Sequence, residues 1–441
     1  MNKWRRIEEI LTYYGKGVTP KYVDDSSIIV LNQKCIRNNK IDFSFAQFID
    51  DKKSYNEDKF LRVGDLLVNS TGQGTAGRVA MVDYIPEGYK IIVDSHILVL
   101  RTNDFFESKC LNYSLFSIES MLQTFMDGST GQGEFDKIRL FNVKVCYSID
   151  NKIQQKIAAV LSALDDKIEL NNKINAELEV MAKTLYDYWF VQFDFPNEDG
   201  KPYKSSGGKM VYNPILKREI PEGWEVKELD QLVIEFTKGL TTSYVNSSNL
   251  INLNQKVNKG FYLERQYFKF LDETIPIPPS KFAKKGDILI NSLGQGTLGR
   301  IHYFIDDDSN IVVDQHLFIL RANKSKISSS YLYNTLASKA YQIQIDRQIT
   351  GSTGMQMLNA SNLKDLKIIC PNLQILVRFE KIVNSYYDKV SSNEKQNQEL
   401  AQLRDWLLPM LMNGQVKVED TYSSNEPQTN LAAEAATAYQ N

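Results

Sequence analysis

Two hydrophobic rhythms alternate along the chain. Short apolar runs bounded by Gly, Asn and Asp, such as GDLLV and KIIVDSHILVL and later GDILI and NIVVDQHLFIL, have the length and β-branched content of strands. Two longer stretches instead place apolar residues every three or four positions. Ile153, Ile157, Val160, Leu164, Lys167, Asn171, Ile174, Leu178, Met181, Leu185 and Tyr188 form one series, and Ile375, Phe379, Ile382, Tyr386, Lys389, Asn393, Gln396, Leu400, Leu403, Leu407 and Met410 the other. Alternating steps of four and three are the spacing of a coiled-coil seam. Each series predicts a helix of about 38 residues, roughly 57 Å long at 1.5 Å per residue. Both seams turn polar at mid-length, at Lys167 with Asn171 and at Lys389 with Asn393. Buried polar residues of this kind fix register and orientation at some cost in stability.

The two rhythms occur twice in the same order. GDLLVNSTGQGTAGR, residues 64–78, returns as GDILINSLGQGTLGR, residues 286–300, an offset of 222 residues. The same offset pairs Gly17 with Gly239, Leu31-Asn32-Gln33-Lys34 with Leu253-Asn254-Gln255-Lys256, and Lys167 with Lys389. Small slips accompany Asp94-Ser95-His96 against Asp314-Gln315-His316, and Gly128–Gly131 against Gly351–Gly354. A period of half the chain means two domain-sized copies related by a pseudo-twofold, not a solenoid of short repeats. The expected fold is therefore α+β, with two similar globular domains and two long antiparallel coiled-coil helices. The partition is a globular domain over residues 1–149, a helix over 150–192, a surface linker over 193–217, a second globular domain over 218–371, a helix over 372–413, and a disordered tail over 414–441. Antiparallel helices would hold the domains more than one turn of B-DNA apart, about 34 to 36 Å, which suits two separated half-sites.

Composition removes several classes of function. Lys+Arg 52 against Asp+Glu 54 gives a formal net charge of −2, so any nucleic-acid surface must be local rather than a chain-wide basic footprint. The amino terminus has no apolar signal region and no stretch reaches the length of a membrane span, which predicts a cytoplasmic protein. Cys35, Cys110, Cys146 and Cys370 stand far apart, indicating neither a zinc site nor a disulfide framework. No NPPY, GxxxxGK[ST], HExxH or GxSxG motif occurs, so the chain is expected to be non-catalytic, with no cofactor or metal of its own. A single-chain methyltransferase or nuclease is disfavoured on that ground. A coiled-coil DNA-binding scaffold or regulator remains the alternative.

Gly72–Gly77 and Gly294–Gly299 match GxGxxG, yet a strand rather than a helix follows each, so a Gly-rich hairpin is expected and not a dinucleotide site. Its Gln73, Arg78, Gln295 and Arg300 could approach DNA, although a plain tight turn with a structural arginine would look the same. Further candidates are Thr19, Lys21, Gln33, Lys34, Arg37 and Asn38 in the first copy and Thr241, Gln255 and Lys256 in the second. Gln, Asn and Arg can contact base edges bidentately, while Lys and Thr serve phosphates. His96 and His316 are expected on apolar strands, each in a buried hydrogen bond with the Asp two residues earlier. His302, without a counterpart, has no expected role.

GKGVTPKYV, LNQKCIRNNKIDFS, GSTGQGEFDKI and the junction FPNEDGKPYKSSGGKMVYN…IPEGWEV together resemble the specificity subunit of Type I restriction-modification systems. The resemblance covers nearly the whole chain. It implies that the globular domains are target recognition domains, each reading one half of a bipartite double-stranded DNA target, and that the helices are a conserved spacer. It further implies two methylation subunits working with S-adenosylmethionine, and restriction/translocase subunits working with ATP and magnesium, as partners that carry all the catalytic sites. Because Lys34–Asn39 differs from Lys256–Phe261, the two half-sites are expected to differ.

Overall fold

The computed structural model describes residues 2–72, 74–127, 134–148, 150–294, 296–351 and 356–418. Two compact units divide the chain: residues 1–168 with 398–441, and residues 169–397. Each holds one globular domain and part of both long helices, Asn151–Tyr186 and Leu373–Asn413. The predicted tail from residue 419 onward lies outside the described residues. Among the described residues no helix is long and apolar enough to cross a membrane.

In the first unit Ile97–Arg101 pairs antiparallel with Tyr13–Lys16 and with Leu66–Asn69, and Val79–Met81 completes a four-stranded sheet. A second sheet runs Lys90–Val93, Ile28–Leu31, Gln47–Ile49, Tyr22–Val23, with its first pair parallel. Successive side chains alternate across a strand. Leu67, Ile97 and Val99 therefore pack against Ile29, Leu31, Ile91 and Val93 of the second sheet, while Leu66, Val68, Leu98 and Leu100 pack with Leu111 and Leu115 of the helix Phe105–Ser117. Burial on both faces is why these strands read as unbroken apolar runs. The same core takes Ile157 and Leu161 from the first long helix and Leu408 and Leu411 from the second.

The second unit repeats this plan. Its sheets run Val233–Lys238, Leu317–Ala322, Ile288–Asn291, Ile301–Tyr303, and Tyr244–Val245, Lys269–Leu271, Ile251–Leu253, Ile311–Val313, the last pair being parallel. Polar framework recurs as faithfully as apolar core. Arg101 Nε donates to Asp65 at 2.7 Å, and Arg321 Nε to Asp287 at 2.9 Å. Lys59 Nζ donates to the carbonyl of Lys16 at 2.6 Å, and Lys281 Nζ to that of Lys238 at 2.7 Å. A Cβ on Gly17 would lie 1.9 Å from the Asp94 carbonyl oxygen, and one on Gly239 would lie 2.1 Å from that of Val313. Only glycine fits either place.

Two expectations need correction. The seam lies one residue further along than predicted over much of both helices. Leu161, Asn175, Ala182 and Tyr186 are buried where Val160, Ile174, Met181 and Leu185 were expected, as are Val383, Tyr387, Val390 and Leu408 in the second helix. Lys167 and Lys389 are exposed. Apolar residues occupy adjacent phases in these helices, and the domain core that takes in Tyr186, Phe190 and Phe379 decides which face turns inward. Asn171 and Asn393 do lie in the seam, with Asn175 as a third buried amide. Within the second unit the helices are antiparallel. Asn171 Nδ2 donates to Asn397 Oδ1 at 2.9 Å and to Gln396 Oε1 at 2.8 Å, and Asn393 Nδ2 donates to Asn175 Oδ1 at 2.8 Å. The 222-residue offset carries Asn171 onto Asn393 and Asn175 onto Asn397, so the internal repeat exchanges the two asparagine–asparagine bonds.

The stretch expected as a surface linker is instead pinned into the second unit. Phe193 and Phe195 are buried, and Phe195 stacks on Tyr203 and Trp224 at centroid distances of 4.6 and 5.1 Å. Asp194 accepts the Ser205 N–H at 2.7 Å and its hydroxyl at 2.6 Å, and these bonds hold its carboxyl below the usual range. The Gly, Ser and Lys content of the segment masks three aromatic anchors.

Candidate nucleic-acid interface

In the first unit Lys16, Leu31, Asn69 and Val93 each end a strand, and Ile97 opens the next. The registers Leu98↔Lys16, Ile97↔Asn69 and Val93↔Leu31 bring them to one edge. The loops that follow therefore converge. Asn32 caps the turn Gln33–Cys35 by accepting the Lys34 N–H at 2.9 Å. Asn69 Nδ2 donates to the Gln33 carbonyl at 2.9 Å, and the Thr71 hydroxyl to Gln33 Oε1 at 3.2 Å. Gly72 has φ +96°, and a Cβ there would lie 2.5 Å from Gln33 Oε1. The Gly-rich hairpin and the Gln33 turn thus form one surface. Lys34 and Thr19 are exposed on this edge, Thr19 following Val18, which bridges to Asp94.

Arg37 and Asn38 are exposed on a small hairpin, Ile36–Arg37 with Lys40–Ile41, laid on Val79–Met81 by the Asn39–Ala80 bridge. Asn38 and Asn39 both have positive φ, 52° and 58°, a region that short amide side chains tolerate better than most. Arg78 is half-buried near Glu119, which accepts the Val79 N–H at 3.2 Å; burial raises the Glu119 carboxyl above its ordinary range. Lys21 stands apart. It pairs with Asp50 at 3.0 Å beside Tyr22–Val23, level with the beginning rather than the end of Ile28–Leu31, and the bond holds the Asp50 carboxyl low.

The second unit builds the same edge. Asn291 Nδ2 donates to the Gln255 carbonyl at 3.1 Å, Asn254 caps the turn at Lys256, and Lys256 is exposed. The Thr241 hydroxyl donates to Asp314 at 2.6 Å. Arg300 is held inside its own loop, donating to the carbonyls of Asn258 at 3.0 Å and Gly296 at 3.4 Å. Gln73 and Gln295 lie outside the described residues.

The histidines stand elsewhere than expected, although the expected His–Asp pairing is present at His316 and Asp314. His96 and His316 sit in the tight turns before Ile97–Arg101 and Leu317–Ala322 rather than on buried strands, because Asp94 and Asp314 accept their main-chain N–H groups at 2.9 Å and close those turns. His96 is exposed. The ring of His316 is one-third exposed, with Nδ1 2.6 Å from Asp314. His302 does have a structural role. It is buried, its Nδ1 donates to the Gly260 carbonyl at 2.8 Å, and burial lowers its pKa to about 4.

The end of GSTGQGEFDKI, quoted from the sequence for the family resemblance but not as a DNA contact, also reaches this edge. The Phe135 N–H donates to the Ser70 carbonyl at 3.1 Å, as Leu358 does to Ser292 at 3.0 Å. Exposed Lys137 and Ile138 line a groove of about 530 Å³ with Tyr14, Lys16 and Phe135. Its signal in the sequence was the GSTG that precedes both segments, together with that resemblance.

The family model for the Type I restriction modification DNA specificity domain matches residues 2–180 and again 221–402. The MjaIX specificity subunit of a Type I restriction enzyme from Methanocaldococcus jannaschii is 29% identical over 325 residues, spanning 70% of this chain and 69% of that protein. The HindI specificity subunit from Haemophilus influenzae is 24% identical over 459 residues, covering 88% and 94% of the two chains. In fold, the crystal structure of a Type I restriction-modification S subunit from M. genitalium superposes with a TM-score of 0.54 at 17% identity, over 93% of this chain and 96% of that one. With two matched copies covering most of its length, the chain belongs to the Type I restriction modification DNA specificity family.

Proposed function

We propose that this chain is the non-catalytic DNA-sequence specificity subunit of a Type I restriction-modification complex, each globular domain reading one half of a bipartite target. The observation that carries this reading is the convergence of loops at one strand edge, built twice on the same hydrogen-bonded framework. In this reading Gln33, Arg37, Asn38 and Arg78 contact base edges, Thr19 and Lys34 contact phosphates, and Thr241, Gln255 and Lys256 serve the second half-site. Arg300, engaged within its own loop, shapes the surface, and Lys21 lies away from it.

Exposed apolar side chains on the helices support docking of one partner in two copies. Met181 and Tyr188 are 48% and 38% exposed, and Leu403 and Trp406 are 43% and 57% exposed. Met181 and Leu403 are equivalent under the repeat, so the two helices offer a matching exposed apolar position. The partners are two methylation subunits bringing S-adenosylmethionine, joined by restriction/translocase subunits bringing ATP and magnesium, acting on DNA in the cytoplasm. The test is methyl transfer to DNA by the purified chain and by the chain reconstituted with its methylation subunits. Transfer at a bipartite motif by the complex alone is expected; transfer by the isolated chain, or by a complex without sequence preference, would refute it.

A further inference from the structure

At the strand edge of each unit a histidine reaches solvent with its Nδ1 engaged from behind. His316 Nδ1 lies 2.6 Å from Asp314 Oδ1, on a side chain only 1% exposed, while the ring itself is 33% exposed. A carboxylate oxygen accepts here, so Nδ1 carries the hydrogen, and in the neutral imidazole Nε2 is left as the acceptor of the ring. In the first unit the partner is different. His96 Nδ1 lies 2.8 Å from the Thr71 hydroxyl, and that hydroxyl already donates its one hydrogen to Gln33 Oε1. With that hydrogen given to Gln33, Nδ1 is again the donor, and in the neutral imidazole Nε2 is the acceptor.

The two copies thus reach one tautomer by separate routes. Leu293 stands where the first copy has Thr71, and Asp314 supplies the acceptor that the leucine cannot. Both turns are tied to the Gly-rich hairpin in the same way, Ser70 and Ser292 donating their N–H groups to the carbonyls of His96 and His316 at 2.8 Å. What the repeat preserves is an acceptor nitrogen at one place on the candidate surface. A phosphate oxygen also accepts and gives such a nitrogen nothing. The hydrogen-bond donors that DNA offers in its major groove are the exocyclic amines, adenine N6 and cytosine N4.

We propose that His96 and His316 are base-reading residues, each accepting a hydrogen bond from one exocyclic amine in its half-site, with Thr71 and Asp314 as the positioning residues that set the tautomer. The inference rests on the specificity-subunit reading. The bipartite motif methylated by the wild-type complex is first mapped genome-wide; absence of such a motif would fail that reading rather than this inference. With the motif known, His316→Ala relaxes one position of one half-site and His96→Ala one position of the other, with discrimination falling about 2- to 12-fold at each, as for one hydrogen bond. Thr71→Val, which removes a hydroxyl that touches no base, relaxes the same position as His96→Ala. DNA carrying purine for adenine, or 2-pyrimidinone for cytosine, at the relaxed position is then methylated more slowly by the wild-type complex and no more slowly by the alanine variant. Equal penalties in both, or an unchanged motif in both variants, would overturn the proposal. Where an alanine variant abolishes methylation, the Gln variant, which retains an acceptor, restores the wild-type motif; its failure to do so also overturns it.

Discussion

Asn393→Ala is a sharp perturbation of the helix pair because its partner cannot find another acceptor or donor. Asn393 and Asn175 are each 1% exposed, and Asn393 Nδ2 donates to Asn175 Oδ1 at 2.8 Å. Alanine removes the bond and leaves Asn175 Oδ1 buried and unpaired, a desolvation cost of about 1–3 kcal/mol. Alanine regains up to about 0.7 kcal/mol through its better helix propensity. The net loss is about 1–2 kcal/mol, confined to the mid-helix segment of the second unit. Replacing both residues by leucine removes both amides and creates no orphan, so Asn175→Leu with Asn393→Leu is neutral or stabilising. Hydrogen exchange read by mass spectrometry on peptides spanning 169–180 and 388–399 follows this segment directly, since the two units need not unfold together. Faster exchange for the alanine variant and unchanged or slower exchange for the double leucine variant are expected. Strictly additive effects of the two single substitutions would refute the pairing.

Three further outcomes follow from buried groups and exposed faces. Arg101→Ala strands Asp65, 2% exposed, without its bidentate partner, and should cost about 3–5 kcal/mol in urea titrations, with Arg321→Ala acting likewise on the second unit. The ring of His302 stays neutral in the folded protein down to about pH 4, whereas an unfolded imidazole takes up its proton near 6.5. The unfolded chain therefore binds the extra proton between those values, so stability attributable to this residue is complete above pH 6.5 and falls by about 3 kcal/mol as the pH drops to 4. His302→Gln should flatten that part of the pH profile relative to the parent; an unchanged slope would show that the buried ring is not its source. Trp406→Ala, at a residue 57% exposed, should leave thermal stability within about 0.5 kcal/mol while weakening copurification with methylation subunits, and undiminished copurification would move the docking face elsewhere.

Much of this architecture is legible in the sequence because duplication supplies its own comparison. Gly17 and Gly239, or Asn69 and Asn291, recur at one offset since each meets the same backbone constraint. Seam phase was not legible, because Val160 beside Leu161 and Met181 beside Ala182 offer two apolar faces and only the domain cores choose between them. The packing of residues 193–203 was hidden by surrounding Gly, Ser and Lys, although Phe193, Phe195 and Tyr203 carry it. At the candidate surface, residue type alone could not separate Arg78 from Arg300. The second is consumed by Asn258 and Gly296 carbonyls, and Asn258 stands where the first copy has Ile36. Lys21 likewise looked like Lys34 until Asp50 was seen to hold it.

The central claim is that two independent readers are carried on one chain. Its most direct test is the methylome of cells carrying the complete complex, in which residues 1–149 of this chain are exchanged for the corresponding domain of a relative with a different target. One half of the methylated motif should change to that of the donor and the other half should remain as it was. Alteration of both halves, or of neither, would contradict the claim.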